Sequence, residues 1–111
     1  MGKFEINTDT SDKYRFNLKA TNGQVILSSQ GYTTKSACEN GIDSVKKNAQ
    51  DDAMFERNTA KDGSPFFNLK SSNGQVIGTS EMYSSTSAME TGITSVKSNA
   101  PDTVIVDNSQ L

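Results

Sequence analysis

The chain says the same thing twice. Phe16-Asn17-Leu18-Lys19-Ala20-Thr21-Asn22-Gly23-Gln24-Val25-Ile26 returns 51 residues later as Phe67-Asn68-Leu69-Lys70-Ser71-Ser72-Asn73-Gly74-Gln75-Val76-Ile77. The match runs on through Tyr32/Tyr83, Glu39/Glu90, Gly41-Ile42 with Gly92-Ile93, and Asn48-Ala49 with Asn99-Ala100, and 21 of 34 aligned positions are identical. Any fold for this chain must therefore seat one unit in two places. At 111 residues the chain has the length of a single domain, and each half alone is short of a self-sufficient core. The expectation is one domain over 1–111 with a shared core, built from repeats of about 1–52 and 53–107, with 108–111 a frayed tail.

Hydrophobic periodicity supplies the elements. Lys3-Phe4-Glu5-Ile6-Asn7 alternates as a half-buried strand does. Thr8 to Lys13 is turn material, and Tyr14, Phe16, Leu18 and Ala20 then share one strand face against Arg15, Asn17 and Lys19 on the other. Asn22-Gly23 reads as a two-residue type I′ hairpin. In the return strand Ile26 is kept as Ile77 while Leu27 becomes Gly78, which places the isoleucines in the core and Leu27 nearer the outside. In the second repeat Gly63-Ser64-Pro65 replaces Asp12-Lys13-Tyr14, which suggests a later strand start.

From Thr33 the period changes. Ala37, Gly41, Ile42, Val45 and Ala49 fall on one helical face, capped by Thr33 or Thr34, with Ser84 or Ser85 as the counterpart. The spacing predicts a helix over about 35–48. Gly41 and Gly92 stand mid-helix, where glycine costs about 1 kcal/mol against alanine, so the helix is expected to lie close on the sheet there. Residues 53–58 align both with the end of the second repeat and with Phe4-Glu5-Ile6-Asn7. They read as one strand shared by both units, tying them into a single sheet.

These features resemble the YegP-like family, small bacterial and archaeal proteins classed as a domain of unknown function. The resemblance is carried by the twin cores, by Gly31-Tyr32, and by Ser36-Ala37-Cys38-Glu39-Asn40-Gly41-Ile42-Asp43-Ser44-Val45-Lys46-Lys47-Asn48-Ala49. The second copy departs from it at Met82 and Thr91. The resemblance implies an α+β fold of two tandem β-β-β-α-β repeats with pseudo-two-fold symmetry. In that fold one antiparallel sheet carries both helices on one side, and the C-terminal strands are swapped between repeats. It implies no activity and no site residues.

The chemistry available is narrow. There is no histidine, so the commonest neutral-pH general base is missing. Cys38 is Met89 in the other copy and stands beside Glu39, which is the wrong field for a reactive thiolate. It reads as a small core residue. Asp9, Asp12, Asp51, Asp52, Asp62 and Asp102 lie in turns and helix ends without calcium-loop spacing. The Asn-Gly-Gln segments are hairpins rather than phosphate loops, so neither a metal nor a cofactor is expected.

Net charge is −2, with both signs interspersed, which disfavours nucleic acid as a partner. No run approaches a membrane span. The opening Met1-Gly2-Lys3-Phe4-Glu5 lacks the apolar stretch of a signal peptide, and Ile6 stands where acylation wants Ser or Thr. A single cysteine fits a reducing cytoplasm.

What remains is a surface: Arg15, Asn17 and Lys19 with Asn68 and Lys70, projecting from the outward face of the two long strands. The expectation is a non-enzymatic binding module that meets a protein or small polar ligand there. Such a chain would be a monomer acting as an internal pseudo-dimer. Nucleic-acid binding through the same face is the alternative, and an enzyme of unrecognised class the distant one.

Overall fold

The computed structural model describes residues 2–101 and 103–109. The first repeat runs β1 (Lys3–Thr8), β2 (Tyr14–Lys19), β3 (Val25–Ser28) and α1 (Lys35–Asn48). The second runs β4 (Phe55–Thr59), β5 (Pro65–Lys70), β6 (Val76–Thr79) and α2 (Thr86–Asn99), and β7 (Val104–Asp107) follows. The described strands form one seven-stranded sheet in the order β4-β5-β6-β3-β2-β1-β7. The repeats meet at its centre, where Ser28 of β3 pairs with Thr79 of β6.

Both helices lie on one face, and each spans both repeats: α1 packs on β2, β5 and β6, α2 on β5, β2 and β3. The core is accordingly a single cluster drawn from both halves, with Phe4, Phe16 and Leu18 continuous with Phe67, Leu69 and Ile93. The caps fall where the hydroxyls allow. Thr34 Oγ1 accepts the Ala37 N–H at 3.0 Å, and Ser85 Oγ accepts that of Ala88 at 3.0 Å. Each bond satisfies one of the orphan donors of a helix start.

The sheet is not wholly antiparallel. β7 crosses back to the first repeat and lies parallel to β1, Phe4 beside Ile105, because a strand that leaves the far end of α2 reaches that edge already pointing along β1. The stretch read as shared between the repeats resolves differently. Asp52–Met54 forms a 3₁₀ turn started by Asp51, whose carboxylate accepts the Ala53 N–H at 3.0 Å. β4 then pairs, among the described residues, with β5 alone. The repeats are joined in the sheet by the β3–β6 seam and by β7.

Three local expectations change as well. Leu27 is fully buried along with Ile26. The register slips between Leu18 and Lys19, and this bulge turns two consecutive residues inward. Gly78 is small because a Cβ there would stand 2.7 Å from Leu27 Cγ. The hairpins are also not type I′. Ala20 N–H donates to Gln24 O, Gly23 N–H to Ala20 O, and Gly23 alone of the pair has positive φ, +84°. This is a three-residue loop closed by a left-handed residue, and Asp12, Gly63 and Gly74 fill the same role in the other hairpins. Finally, β5 starts at Pro65, level with Tyr14, so the second long strand is not delayed. Tyr14 and Tyr32 exchange two backbone bonds, at 2.8 and 2.7 Å, whereas Pro65, having no N–H, only accepts from Tyr83, at 2.8 Å.

The mid-helix glycines face tyrosines rather than sheet backbone. A Cβ at Gly41 would lie 2.5 Å from Tyr32 Oη, and one at Gly92 would lie 2.2 Å from Tyr83 Oη. Each tyrosine ring stacks on a core phenylalanine, Phe16 or Phe67. Of the tail, the Asn108 N–H is bonded to Ile6 O at 2.8 Å and that of Ser109 to Asp107 Oδ1 at 2.9 Å, while Gln110 and Leu111 lie outside the described residues.

Candidate binding face

Among the described residues the helices cover one side of the sheet and leave the other open. Strand alternation puts Asn17 and Lys19 on that open side in β2, and Asn68 and Lys70 in β5, because Phe16, Leu18, Phe67 and Leu69 take the core side. Register then does something the sequence reading missed. Glu56 pairs with Asn68, Asn68 with Thr79, Thr79 with Ser28, Ser28 with Asn17, and Asn17 with Glu5. A single row of polar side chains crosses six strands, reading Glu-Asn-Thr and then Ser-Asn-Glu, palindromic about the seam.

The row is knit by hydrogen bonds. Thr79 Oγ1 donates to Asn68 Oδ1 at 2.8 Å, and Ser28 Oγ donates to Asn17 Oδ1 at 2.9 Å. Asn68 Nδ2 and Asn58 Nδ2 each donate to Glu56 Oε1 at 3.1 Å. The lysines close on the carboxylates: Lys70 Nζ lies 2.8 Å from Glu56, and Lys19 Nζ 3.0 Å from Glu5, which Lys3 also meets at 3.2 Å. The Lys70 ammonium, helped by the two amides, holds the Glu56 carboxyl down at about 2. Glu5 is lowered in the same direction, chiefly by Lys19. The Lys–Glu pair and the hydroxyl-to-Asn bond recur across the pseudo-two-fold, whereas, among the described residues, the amide bonds to Glu56 and the Lys3 contact to Glu5 each occur in one repeat.

Arg15 stands apart from it. Its Nε lies 2.7 Å from Asp9, and its Nη1 donates to Ser29 O at 3.3 Å. The counterparts of this pair are Ala60 and Phe66, so the feature belongs to the first repeat only. Of the five residues expected at the site, four join the ladder and Arg15 does not. Glu5, Glu56, Ser28 and Thr79 complete it. The glutamates were findable, since Phe4-Glu5 aligns with Phe55-Glu56 and strand alternation sends both outward. Ser28 and Thr79 needed the seam.

Cys38 is buried, and burial, with Glu39 and Asp107 adding to it, pushes its thiol up to about 11. Among the described residues no group of three or more Cys, Asp or Glu side chains is placed to hold a metal ion, and Asp102 lies outside those residues. No described helix is long and apolar enough to cross a membrane.

The same architecture occurs in known proteins. The family description "Domain of unknown function (DUF1508)" matches residues 9–56 and again 60–107. A UPF0339 protein of Bordetella pertussis is 55% identical over 110 residues, 99% of each chain. The solution NMR structure of the yegP protein of Escherichia coli superposes with a TM-score of 0.94 at 43% identity, covering 99% of this chain and 95% of that one. That of a UPF0339 protein of Shewanella oneidensis superposes with a TM-score of 0.92 at 47% identity, over 97% and 92% of the two chains. The chain is a tandem-repeat member of the uncharacterised DUF1508 family, within the UPF0339 group that includes YegP.

Proposed function

We propose that this protein is a non-enzymatic binding module that presents the open face of its sheet to a polar partner, a protein surface or a small polar ligand. The observation that carries the reading is the palindromic ladder. It sets donors and acceptors in fixed positions on six strands, twice over, and gives a partner two quasi-equivalent half-sites. Strands hold such groups more rigidly than loops do, which lowers the ordering cost of binding. A non-catalytic role agrees with the lack of histidine and with the high thiol pKa of Cys38. The single buried cysteine also suits a reducing cytoplasm.

Each ladder lysine already has a carboxylate within 3.0 Å. That favours a neutral or mixed-charge partner over a phosphodiester backbone, which needs unneutralised cations. The test is affinity capture of binders from lysate on the wild-type protein and on a Lys19→Glu, Lys70→Glu double variant of equal stability. The binders are then titrated with salt. A partner lost on the double variant, with shallow salt dependence, supports the reading. A partner indifferent to both changes refutes the face as the site, and a nucleic acid released steeply by salt refutes the proposed partner class.

A further inference from the structure

The sheet has two outer edges, and they are built differently. Among the described residues β4 pairs with β5 alone and β7 with β1 alone. β4 presents Glu56-Arg57-Asn58, with Arg57 tied to Glu90 at 2.6 Å and to Asp52 at 3.2 Å. Charged side chains of this kind are how natural sheets keep an edge from pairing with another chain. β7 reads Val104-Ile105-Val106-Asp107, with Val104 64% exposed and Ile105 41% exposed. Its one charge is engaged by Lys35, 2.7 Å away. No proline, lysine or bulge blunts it.

The backbone of β7 is oriented for pairing. The Asn108 N–H donates to Ile6 O. Alternation along a parallel strand then turns the N–H and C=O of Val106 and Val104 toward β1 as well, and those of Ile105 and Asp107 outward. We propose that this edge docks a second copy of the chain, β7 lying antiparallel to β7 about a two-fold axis through Ile105. In that register Ile105 meets its own counterpart as a hydrogen-bonded pair on the helix side of the sheet. Val104 meets the copy's Val106 on the open side, and Asp107 faces Thr103. No like charges oppose each other, and β-branched pairs of this kind are favourable. A register centred on Asp107 would set carboxylate against carboxylate. Pairing of β7 with β4 of another copy would set Val-Ile-Val against Glu-Arg-Asn.

A joint of four-residue strands falls well short of the roughly 800 Å² per partner of a stable interface. The dimer is accordingly weak, and the monomer expected from the sequence is the dilute form. Pairing would make the two seven-stranded sheets continuous and bring both copies' open faces onto one surface. The inference rests on the edge alone and stands whatever binds the ladder.

Sedimentation equilibrium and amide NMR on the full chain, from about 20 µM to about 2 mM, test it, since weak association appears only near its Kd. Expected are a rising mass and concentration-dependent shifts strongest at the Ile105 and Asp107 amides. Ile105→Lys, which opposes two ammonium groups, should stay monomeric throughout. Should that variant fail to fold, Ile105→Thr keeps the strand and should weaken association at least about threefold. A wild-type mass that stays monomeric at the top concentration overturns the proposal. So does association undiminished by whichever of these substitutions folds, or shifts that gather on β4 in place of β7.

Discussion

The two repeats share a backbone and diverge in a pattern. The first keeps Ile6 in the core on the strand beside β7, and Lys35 bonds Asp107 of β7. The second has Arg57 and Thr86 at those positions, and no described strand covers β4. Leu27 and Gly78, counterparts in sequence, touch each other at the centre. Asp9 and Arg15, which bond each other, have Ala60 and Phe66 as their counterparts. Most residues that face the shared core or the polar ladder are the same in both repeats, with Cys38/Met89 and Ser28/Thr79 among the exceptions. Two of the core differences sit where symmetry fails: Ile6/Arg57 next to a strand that exists once, and Leu27/Gly78 at a point where equivalent positions meet.

The centre offers the largest test of this pattern. Leu27→Gly should cost at least about 2–5 kcal/mol by denaturant unfolding, as buried leucine truncations do. Gly78→Leu alone should cost about 1–3 kcal/mol by overpacking. Exchanging the two, Leu27→Gly with Gly78→Leu, should recover much of the combined loss, and a double-mutant cycle with no coupling would break the comparison.

Next come the glycines under the tyrosines, where the repeats should agree. Gly41→Ala and Gly92→Ala each push a methyl into a tyrosine ring and should cost a similar amount, about 1–3 kcal/mol. A loss at one site without the other would mean that the helices seat differently.

Cys38→Ala should cost about 1 kcal/mol in lost buried volume. Its thiol in the intact protein should react far more slowly with a disulfide reagent than a free peptide thiol does. Fast labelling would contradict the burial.

The ladder should show the smallest effects on stability. Lys19→Ala and Lys70→Ala should each change it by no more than about 0.5 kcal/mol, yet weaken partner binding alike. Glu56 gives a pH signature. Its folded pKa, about 2, lies below the usual 4.5, so its contribution is full above pH 4.5 and is lost as pH falls toward 2. The carboxyl resonance of Glu56 should titrate with a midpoint near 2, and Lys70→Ala should raise that midpoint.

Much of this was legible in the residues. Thr33-Thr34 and Ser84-Ser85 mark the helix starts to within one residue, and strict alternation marks β2 and its face. Leu27 was misread because comparing copies assumes that equivalent positions have equivalent surroundings, which fails where they meet each other. β7 beside β1 left no local trace, since the pairing joins the two ends of the chain. The ladder was half visible: alternation gives its members one strand at a time, but only register across the seam makes them a row.

Leu27 and Gly78 also bear on the history of the molecule. Two first repeats brought together would set leucine against leucine at one point, and two second repeats would leave a hole there. At this point the fit needs one residue of each kind. At the centre of the sheet the two halves are thus no longer interchangeable.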